Sequence, residues 1–544
     1  MTTQAATEAT GGHDTVRRVG QRPQMALYVA IMVVGFAILY LVTRSSLPIG
    51  DRPAFIDAAR TGNVADFLYG NPSHFMQVPL SREIWLAASA TGVPLPLEGI
   101  FLALSVIGTL AAIVFVGLIA REVTGSEAAA WLAAIIFGTS LHAWTQVNGE
   151  QYGLALGFVS TALWCALRGR IVAPALLWAL AVIAHSEFMM AAGVFAIVAW
   201  TTSQSPASTG SKMRRSAAVL LLAGSTTCLA LLVWSWALGK WSAPTSLVTW
   251  IHGILSVNTT YAETQPEILR AAKGLVTALT VAGHFWRDIM TGRAPLGDPV
   301  FVLEAGIGLV VLLLTGVFLL AATSRRRAFV FALAWLLPFH VLGNWWFQPT
   351  VEKYHAGALP GFVLLVTAGL VAIGEQIRPR QRQWLFLSYV CATAGLNFFG
   401  ALRPMQLLGQ DTARAEREVR QLAETRGGRA VFITCDAPGA VLGAGVPYLR
   451  LRSVWTGSVP EIEQALIRWT SDRLGEDKEP YLVGRWCFPE DWTTTWSKEP
   501  FDLLFLERSF KSVPTSIVGL PMSRGVSTNP FSWTRGDVTR LEPK

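Results

Sequence analysis

Two short polar stretches, each beside a long apolar run, contain residue types that could do chemistry. The first, PIGDRPAF, places Asp51 a few residues beyond an apolar run that ends near Thr43. Partial desolvation at a membrane surface raises the pKa of a carboxyl group toward that of a useful general base, although Arg52 opposes the shift. Asp51 could instead cap the following helix, because Asp is a preferred N-cap residue. Asp51 is therefore a candidate general base, with helix capping as the alternative.

The second stretch, QPTVEKYHAGALPG, places Glu352, Lys353, Tyr354 and His355 at the entrance to a late apolar run. Lys and Tyr side chains can donate hydrogen bonds to phosphate oxygens, and a His can protonate or bind a leaving phosphate. The same residues could form an ordinary interfacial anchor, with Lys and Tyr reaching the lipid headgroups. The residues alone leave both interpretations open.

Three further polar stretches add candidates. VNGEQYG contains Glu150, AHSEF contains His185 and Glu187, and GHFWRD contains Arg287 beside Asp288. A His near two carboxylates could hold a divalent metal ion, but no zinc-type spacing such as H-E-x-x-H occurs. Arg287 could pair with Asp288 or hold an anionic ligand. The sequence contains no P-loop, no dinucleotide-binding fingerprint and no G-x-S-x-G motif.

The elements that must position these residues are apolar. The chain has 544 residues, of which 52% are hydrophobic and only 15% charged, with a mean hydropathy of +0.42. This composition excludes an ordinary soluble protein and indicates a polytopic membrane protein in contact with membrane lipid. The net charge of +8 comes from short basic clusters between apolar runs. That pattern is typical of cytoplasmic loops, so no nucleic-acid partner is expected.

About eleven apolar runs could cross the membrane, and basic clusters separate several of them. With a cytoplasmic N-terminus, strict alternation places every cluster on the cytoplasmic side, as the positive-inside rule requires. The runs lie near residues 25–43, 99–120, 128–145, 152–167, 171–185, 187–201, 217–238, 300–323, 328–347, 356–374 and 384–402. The clusters are Arg121, RGR at 168–170, SKMRR at 211–215, SRRR at 324–327 and RPRQR at 378–382.

The same alternation assigns the other polar segments to the outer face, and nearly all candidate residues lie in them or at their edges. These segments are 44–98, 146–151, 185–188, 239–299, 348–355 and the chain after about 403. The predicted organisation is a disordered cytoplasmic tail over 1–24, a transmembrane domain over 25–402 with large outer loops 44–98 and 239–299, and an outer domain over 403–544. Strand-like RAVFITC and PYLRL, with the helical PEIEQALIRWTSDRL, predict a soluble α/β fold for that domain.

Local signals predict four smaller features. In the first outer loop, PAFIDAARTGNVADFL and SREIWLAASATG predict two interfacial helices, the second with Ser81 as N-cap and Gly92 as its stop. Gly153 and Gly157 predict close helix packing. His340, within a span, is interpreted as a hydrogen-bonded interhelical residue. Cys435 and Cys487, the two outer-domain cysteines, could form a disulfide, which spacing alone does not decide.

Over residues 25–402 the chain resembles the GT-C superfamily of polytopic membrane glycosyltransferases. The resemblance rests on PIGDRPAF after the first span, a long first outer loop with two surface helices, NPSHFMQVPL before the second span, and QPTVEKYHAGALP before a late span. The Asn-Pro-x-His segment is similar to one in poorly characterised bacterial members. The resemblance implies a polyprenyl-phosphate sugar donor, a lipid, glycan or protein acceptor, and inverting transfer on the outer face of a bacterial inner membrane.

The resemblance also implies roles for particular residues. Asp51 would take the proton of the acceptor hydroxyl. Donor-phosphate binding would fall to Lys353, Tyr354, His355 and Arg287, and the sugar or acceptor pocket to His74, Glu150, His185, Glu187 and Glu352. No cofactor is implied, although a divalent metal ion stays open. Two features depart from the pattern: Arg52 stands where the superfamily often has a second acidic residue, and the outer domain matches no known module.

Three other functions fit the same sequence. A transporter or flippase of a lipid-linked solute would place polar residues at mid-membrane rather than at one face. A ligase that moves a glycan from a polyprenyl diphosphate shares most features of the chain. A non-catalytic partner of a cell-envelope complex would use the outer domain for docking and would tolerate charge changes at Asp51 and Lys353.

Overall fold

A computed structural model of the chain describes most of the apolar part and the main elements of the outer domain. The described residues are 9–44, 52–62, 64, 76–147, 152–201, 209–237, 268–290, 295–344, 355–434, 446–450, 459–483, 486–487, 501–502, 506, 509–516, 520–523, 533–536 and 538–544.

Helices make up the membrane part of the protein. Their bounds are α1 Ala9–Thr43, α2 Arg52–Thr61, α3 Gln77–Ala90, α4 Leu97–Thr124, α5 Glu127–Gly138, α6 Leu141–Gln146, α7 Tyr152–Leu167, α8 Val172–Ala184, α9 Ala192–Thr201, α10 Thr209–Ala237, α11 Ile268–Leu279, α12 Ala282–Met290, α13 Pro299–Ala322, α14 Arg326–Leu337, α15 Leu359–Gln376 and α16 Pro379–Asn397. A 3₁₀ turn covers Ser186–Ala191, and π-helical turns cover Pro338–Asn344 and Phe398–Leu402.

Within the described residues, five helical stretches are long and apolar enough to cross a membrane. They are Gln24–Thr43, Leu97–Thr124, Pro299–Ala322, Leu359–Gln376 and Pro379–Thr425. Shorter apolar helices occupy the other predicted spans, for example Tyr152–Leu167 and Val172–Ala184. The protein therefore has the character of a multi-pass membrane protein, and the number of spans stays a prediction.

The N-terminal helix differs from the predicted span. α1 begins at Ala9, so it includes most of the segment for which the sequence predicts disorder. The added turns are polar and contain Arg17 and Arg18, whereas the apolar part of α1 begins at Gln24. The prediction from hydropathy therefore located the apolar part of the helix but not the start of the helix.

Several predicted spans are interrupted near one end. The run 128–145 is divided at Ser140, whose hydroxyl oxygen accepts a hydrogen bond from Ala143 N at 3.1 Å and caps α6. The run 187–201 opens with the 3₁₀ turn, and the runs 328–347 and 384–402 each end in a π-helical turn. Each interruption changes the backbone hydrogen-bonding pattern without changing the apolar composition, so hydropathy does not reveal it.

The two central helices α4 and α7 approach each other closely through glycines. A Cβ placed on Gly108 would lie 2.4 Å from Gly153 O, and one on Gly157 would lie 2.6 Å from Gly108 O. The predicted packing role of Gly153 and Gly157 is therefore confirmed. Small residues allow helix backbones to meet in membranes, where packing replaces the hydrophobic driving force.

The first outer loop contributes a small core of its own. Phe55 of α2 and Val78 of α3 pack against Phe101 near the start of α4. Arg60 at the end of α2 pairs with Glu98, Nη2 to Oε1, at 2.5 Å. Helices α2 and α3 are thus attached to the membrane bundle through α4.

The predicted start of α3 is wrong, although its end is right. α3 begins at Gln77, so Ser81 lies inside the helix, where its side chain is buried, and does not cap it. Pro79 in the first turn is compatible with this earlier start, because the first backbone N–H groups of a helix have no intrahelical partner. Gly92 follows the helix with φ of +74°, the left-handed conformation that favours glycine at a helix stop.

The outer domain is a layered α/β fold, as predicted. Its strands are β1 Ala430–Thr434, β2 Tyr448–Arg450, β3 Glu479–Val483, β4 Trp486–Cys487, β5 Phe501–Asp502, β6 Phe510–Pro514, β7 Leu520–Ser523, β8 Trp533–Gly536 and β9 Val538–Pro543, and its helices are α17 Arg403–Thr425 and α18 Val459–Gly475. The five-stranded sheet has the order β2-β1-β3-β9-β6, with β1 parallel to β2 and β3, and β9 antiparallel to β3 and β6. β4 pairs with β5, and β7 with β8.

Alternating side chains of the sheet face two helices. Val419 of α17 packs with Phe432, whereas Leu466 of α18 packs with Ile433. Successive residues of a strand point to opposite faces, so the two helices cover opposite faces of the sheet. Cys435 lies outside the described residues, and the disulfide with Cys487 stays a prediction.

An ionic cluster surrounds the start of the central strand β3, next to the end of α17. Glu479 of β3 lies 3.2 Å from Arg429 Nη2 and 3.5 Å from both Arg426 Nε and Arg540 Nη1, and it accepts a hydrogen bond from the Tyr481 hydroxyl at 2.9 Å. Burial alone would raise the pKa of Glu479, but the hydrogen bond and the arginine charges outweigh burial and lower it. Burial and the neighbouring carboxylate raise the pKa of Tyr481 to about 12.

The last span continues into the outer domain without a break in the helix. Pro379–Thr425 is helical over 47 residues, including the π-helical turn Phe398–Leu402. At 1.5 Å per residue the helix is roughly 70 Å long, more than twice the hydrocarbon thickness of a bilayer. A single helix therefore joins the membrane bundle to the sheet, and no linker separates the domains near residue 403.

The close approach of α4 and α7 predicts a selective effect of added volume. Gly108→Ala should lower the free energy of unfolding by about 1–3 kcal/mol, because the contacting atoms belong to backbone and cannot rotate away. Gly306→Ala on α13 is the matched control, since a Cβ there meets nothing within 4 Å. Thermal unfolding in detergent should show a lower midpoint for Gly108→Ala only. Equal midpoints for the two variants would contradict the packing.

Candidate functional site

Described residues that border the predicted outer segments meet at one end of the bundle. Thr43, at the end of α1, accepts a hydrogen bond from Trp144 Nε1 of α6 at 3.1 Å. Tyr152, the first residue of α7, stacks on His185 after α8, with ring centroids 4.3 Å apart. Gln406 Nε2 of α17 donates to Val42 O at 3.5 Å. The borders of segments 44–98, 146–151 and 185–188 and the start of the outer domain therefore share one layer, which we call the polar layer.

Two ion pairs connect basic clusters that are predicted to be cytoplasmic with helix ends beside other such clusters. Arg168 of the RGR cluster pairs with Glu122, next to Arg121, with Nη2 to Oε2 at 3.3 Å. Arg325 of the SRRR cluster pairs with Glu375, at the end of α15 that precedes RPRQR. These contacts occur at the helix ends opposite those that form the polar layer. The bundle thus has one end with basic clusters and one end with the polar layer.

A continuous series of rings crosses the polar layer. From His142 to Tyr152 the centroids are 6.4 Å apart, and from Tyr152 to His185 they are 4.3 Å apart. His185 then contacts Phe188 at 6.3 Å, and Phe188 contacts Phe339 at 5.6 Å. The five rings come from α6, α7, the 3₁₀ turn with its preceding residue, and the π-helical turn after α14.

The series ends beside one of the predicted donor-phosphate residues, His355. His340, next to Phe339, has its ring centroid 5.8 Å from that of His355. His355 is fully buried and directly follows Tyr354 in the chain. The polar layer therefore contains three of the predicted site residues, His185, Glu187 and His355, and the ring series connects His185 to the π-helical turn that holds His340.

His185 and Glu187 constrain each other. The backbone N–H of Glu187 donates to His185 Nδ1 at 3.3 Å, and Glu187 Oε2 lies 3.9 Å from the same nitrogen. A nitrogen that accepts a hydrogen bond carries a lone pair, so this bond requires an unprotonated Nδ1. Glu187 Oε1 is buried and has no hydrogen-bond partner among the described residues.

A divalent metal ion at this end of the bundle stays a prediction. The Nδ1 lone pair of His185 accepts from the Glu187 N–H at 3.3 Å, and this bond would compete with a metal ion at that atom. Across the described ranges, no group of three or more His, Cys, Asp or Glu residues is arranged to hold a metal ion.

A fully buried asparagine joins three interrupted elements at this end of the bundle. Asn397 Nδ2 donates to Thr139 O at 2.9 Å and to Leu279 O at 2.8 Å, while its Oδ1 accepts from Val281 N at 2.8 Å. Thr139 follows α5, and the other two groups flank the junction of α11 and α12. Backbone groups at helix ends lack intrahelical partners, so one side chain satisfies groups at two breaks.

The other predicted site residues are not all described. Arg287 belongs to α12, and only its backbone is described. The catalytic candidate Asp51 and the candidates His74, Glu150, Glu352, Lys353 and Tyr354 lie outside the described residues. Their assigned roles therefore stay predictions.

Sequence reasoning missed four polar-layer residues: His142 as a site residue, Gln146, Tyr152 and Asn397. Each of them lies inside or at the edge of an apolar run, where an isolated polar residue looks like a packing residue. One available signal was the density of His, Tyr and Gln around the predicted outer segment 146–151. Their mutual contacts depend on helices distant in sequence and could not be inferred from spacing.

The comparisons with known proteins identify the fold. No protein-family model matches the chain, and no curated protein matches its sequence. Among solved structures, ArnT from Cupriavidus metallidurans in the apo state matches with a TM-score of 0.51 and 12% identity, over 95% of this chain and 98% of ArnT. ArnT bound to undecaprenyl phosphate matches with a TM-score of 0.50 and 11% identity, over 94% and 98%.

A third structure extends the comparison to an archaeal enzyme. The oligosaccharyltransferase AglB from Archaeoglobus fulgidus, in complex with an inhibitory peptide and a dolichol-phosphate, matches at 10% identity with a TM-score of 0.44, over 85% of this chain and 70% of AglB. The matches to the two ArnT structures show that the protein has the GT-C fold, as the resemblance of its sequence predicts. The match includes the outer domain as well as the membrane bundle, since it covers about 95% of the chain.

The contacts of Asn397 predict a large loss of stability on its removal. Asn397→Ala should lower the thermal midpoint strongly, because Thr139 O and Leu279 O lose their donor, at about 1–3 kcal/mol for each buried unsatisfied group. Thr393→Ala is the control one helical turn earlier: Thr393 is also buried, but its hydroxyl bonds within its own helix, to Tyr389 O at 2.9 Å. Similar midpoints for the two variants would show that Asn397 does not join the helices.

Proposed function

We propose that this protein is an inverting glycosyltransferase that moves a sugar from a polyprenyl-phosphate donor to a cell-envelope acceptor on the extracytoplasmic face of the membrane. The observation that carries the proposal is the GT-C fold, which this chain shares with ArnT over 98% of the ArnT chain. One of the matched ArnT structures holds undecaprenyl phosphate. A lipid-linked donor, which reaches the protein from within the bilayer, suits a site at the end of a membrane bundle.

The proposed reaction is a single displacement. The acceptor hydroxyl oxygen attacks C1 of the sugar, the Asp51 carboxylate takes the hydroxyl proton, and the bond between C1 and the phosphate oxygen breaks with inversion. The polyprenyl phosphate leaves with the electron pair of that bond. Lys353 and Tyr354, with His355, stabilise the negative charge that develops on the leaving phosphate. Arg287 is a further phosphate ligand, and His74, Glu150, His185, Glu187 and Glu352 line the sugar or acceptor pocket.

The location of the polar side chains favours an enzyme over a transporter. The ring series, Asn397 and the interrupted helices all belong to one end of the described bundle. A transporter requires polar residues near the bilayer midplane that become accessible from both sides. A ligase that uses a polyprenyl diphosphate is the second enzyme class that fits this arrangement, and it differs in the donor.

The orientation follows from charge. The basic clusters lie opposite the polar layer, and the positive-inside rule places such clusters in the cytoplasm. The polar layer and the outer domain then lie on the extracytoplasmic face of the bacterial inner membrane, with the N-terminus in the cytoplasm.

The proposed role of Asp51 predicts loss of transfer without loss of donor binding. Asp51→Asn removes the base but keeps the shape of the side chain, so donor consumption should fall at least 100-fold, within the range of roughly 10²–10⁴ that general-base catalysis contributes. The measurement is mass spectrometry of purified protein incubated with a panel of polyprenyl-phosphate sugars and an envelope extract as acceptor source. Wild-type activity in Asp51→Asn would refute the assignment. If wild-type protein consumes only a diphosphate-linked glycan, the ligase class replaces the proposal.

The proposed role of Lys353 predicts a different change. Lys353→Ala should raise the apparent KM for the donor by roughly 10-fold or more, because one charge-assisted hydrogen bond to phosphate is lost. Lys353→Arg, which keeps the positive charge, is the matched variant and should retain part of the affinity. An unchanged donor KM in Lys353→Ala would exclude the phosphate role.

A further inference from the structure

Gln146 is a buried side chain whose hydrogen-bonding capacity is only partly used. It is the last residue of α6 and is fully buried. Its Oε1 accepts a hydrogen bond from Gly153 N at 3.0 Å. Gly153 is the second residue of α7, so its N–H has no partner within that helix. The amide oxygen of Gln146 thus takes the place of a helix cap.

This bond fixes the identity and direction of the amide group. Only an oxygen can accept from the Gly153 N–H, so the Gln146 side chain cannot be flipped. The nitrogen Nε2 then points away from Gly153, and it has no hydrogen-bond partner among the described residues. A buried donor left unsatisfied costs about 1–3 kcal/mol, so an acceptor for this N–H group must come from outside the described residues.

The surroundings of the amide fit a hydroxylated ring. His142 lies one turn before Gln146 on the same face of α6, and Tyr152 is adjacent to Gly153, with the His142 and Tyr152 ring centroids 6.4 Å apart. The amide therefore lies beside this ring pair in the polar layer. A neutral N–H donor beside aromatic rings suits a sugar, which presents hydroxyl oxygens and apolar C–H faces together.

We infer that Gln146 is a sugar-binding residue, whose Nε2–H donates to a hydroxyl oxygen of the donor sugar while the rings of His142 and Tyr152 border the same subsite. This inference rests on the proposed function and adds a specificity-determining residue to it. The recognised sugar must therefore have a hydroxyl group at the position that contacts Gln146 Nε2. A sugar that lacks this hydroxyl leaves the amide buried without an acceptor and is rejected.

The test compares two variants of Gln146 with a matched control. Gln146→Glu keeps an oxygen for the Gly153 N–H but removes the donor, and Gln146→Met removes both. Ser160→Ala is the control, because Ser160 is also buried with a hydroxyl that has no partner in the described part of the chain, but it lies two turns farther along α7. Initial rates are measured on full-length protein in detergent with the polyprenyl-phosphate sugar that wild type consumes and with its monodeoxy analogues.

The inference predicts that kcat/KM for the donor falls roughly 10- to 100-fold in both Gln146 variants and is unchanged in Ser160→Ala. One monodeoxy analogue should be a poor substrate of wild type yet lose nothing further in Gln146→Glu, since the contact is already absent.

If Gln146 only caps α7, or holds a buried water, Gln146→Glu will have the wild-type kcat/KM, and the inference is overturned. If Gln146→Glu does not purify as a folded protein, the monodeoxy analogues decide with Gln146→Met: the analogue that is poor for wild type should lose nothing further, and an equal fold-loss on every analogue overturns the inference. A wild-type protein that consumes no lipid-linked sugar overturns the proposed function and this inference with it, whereas active wild type with an unaffected Gln146→Glu overturns the inference alone.

Discussion

The structure depends on the need to pair every backbone polar group inside a membrane. Lipid offers no hydrogen bonds, so an interrupted helix is stable only where protein groups satisfy its free N–H and C=O groups. Here the interruptions occur together at one end of the bundle. Asn397 bonds to two junctions at once, and Ser140, Gln146 and His185 each accept from a backbone N–H beside a break. The polar side chains that satisfy these backbone groups therefore lie together at that end of the bundle.

One long helix connects the end of the bundle that holds the polar layer to the outer domain. The last span runs on through α17 to the sheet, so the position of the sheet follows from the direction of one long helix. Gln406 at the start of α17 contacts Val42 at the end of α1, and the arginines around Glu479 join the far end of α17 to β3.

The sequence predicted the membrane character, the apolar spans and the α/β outer domain, because these depend on composition and local periodicity. It did not predict the break at Ser140 or the π-helical turn at Pro338, since both lie in runs that stay apolar. Ser81 was assigned as an N-cap from its type, but tertiary packing with α4 starts the helix at Gln77. Disorder was predicted for the tail from its polar composition, although α1 begins at Ala9.

For the candidate site, the sequence proposed His185, Glu187 and His355, which the structure brings into one layer and whose roles stay predictions. It missed Gln146, Tyr152 and Asn397, because a lone polar residue in an apolar run carries no signal of its distant partners. The partner groups of Asn397 lie more than 100 residues away along the chain. Asp51 and Lys353 were found from their positions beside apolar runs, and their roles depend on experiment.

Transfer in the polar layer on the extracytoplasmic side requires that the outer domain faces away from the cytoplasm and the basic clusters face it, and cysteine labelling measures this sidedness. In a chain with its five cysteines replaced by serine, single cysteines are introduced at Asp477, whose side chain is 87% exposed in the outer domain, and at Ser324 in a basic cluster. Intact cells are treated with a membrane-impermeant maleimide. Asp477→Cys should be labelled in intact cells. Ser324→Cys should be labelled only after the cells are permeabilised. The reverse pattern would place the polar layer in the cytoplasm and contradict extracytoplasmic transfer.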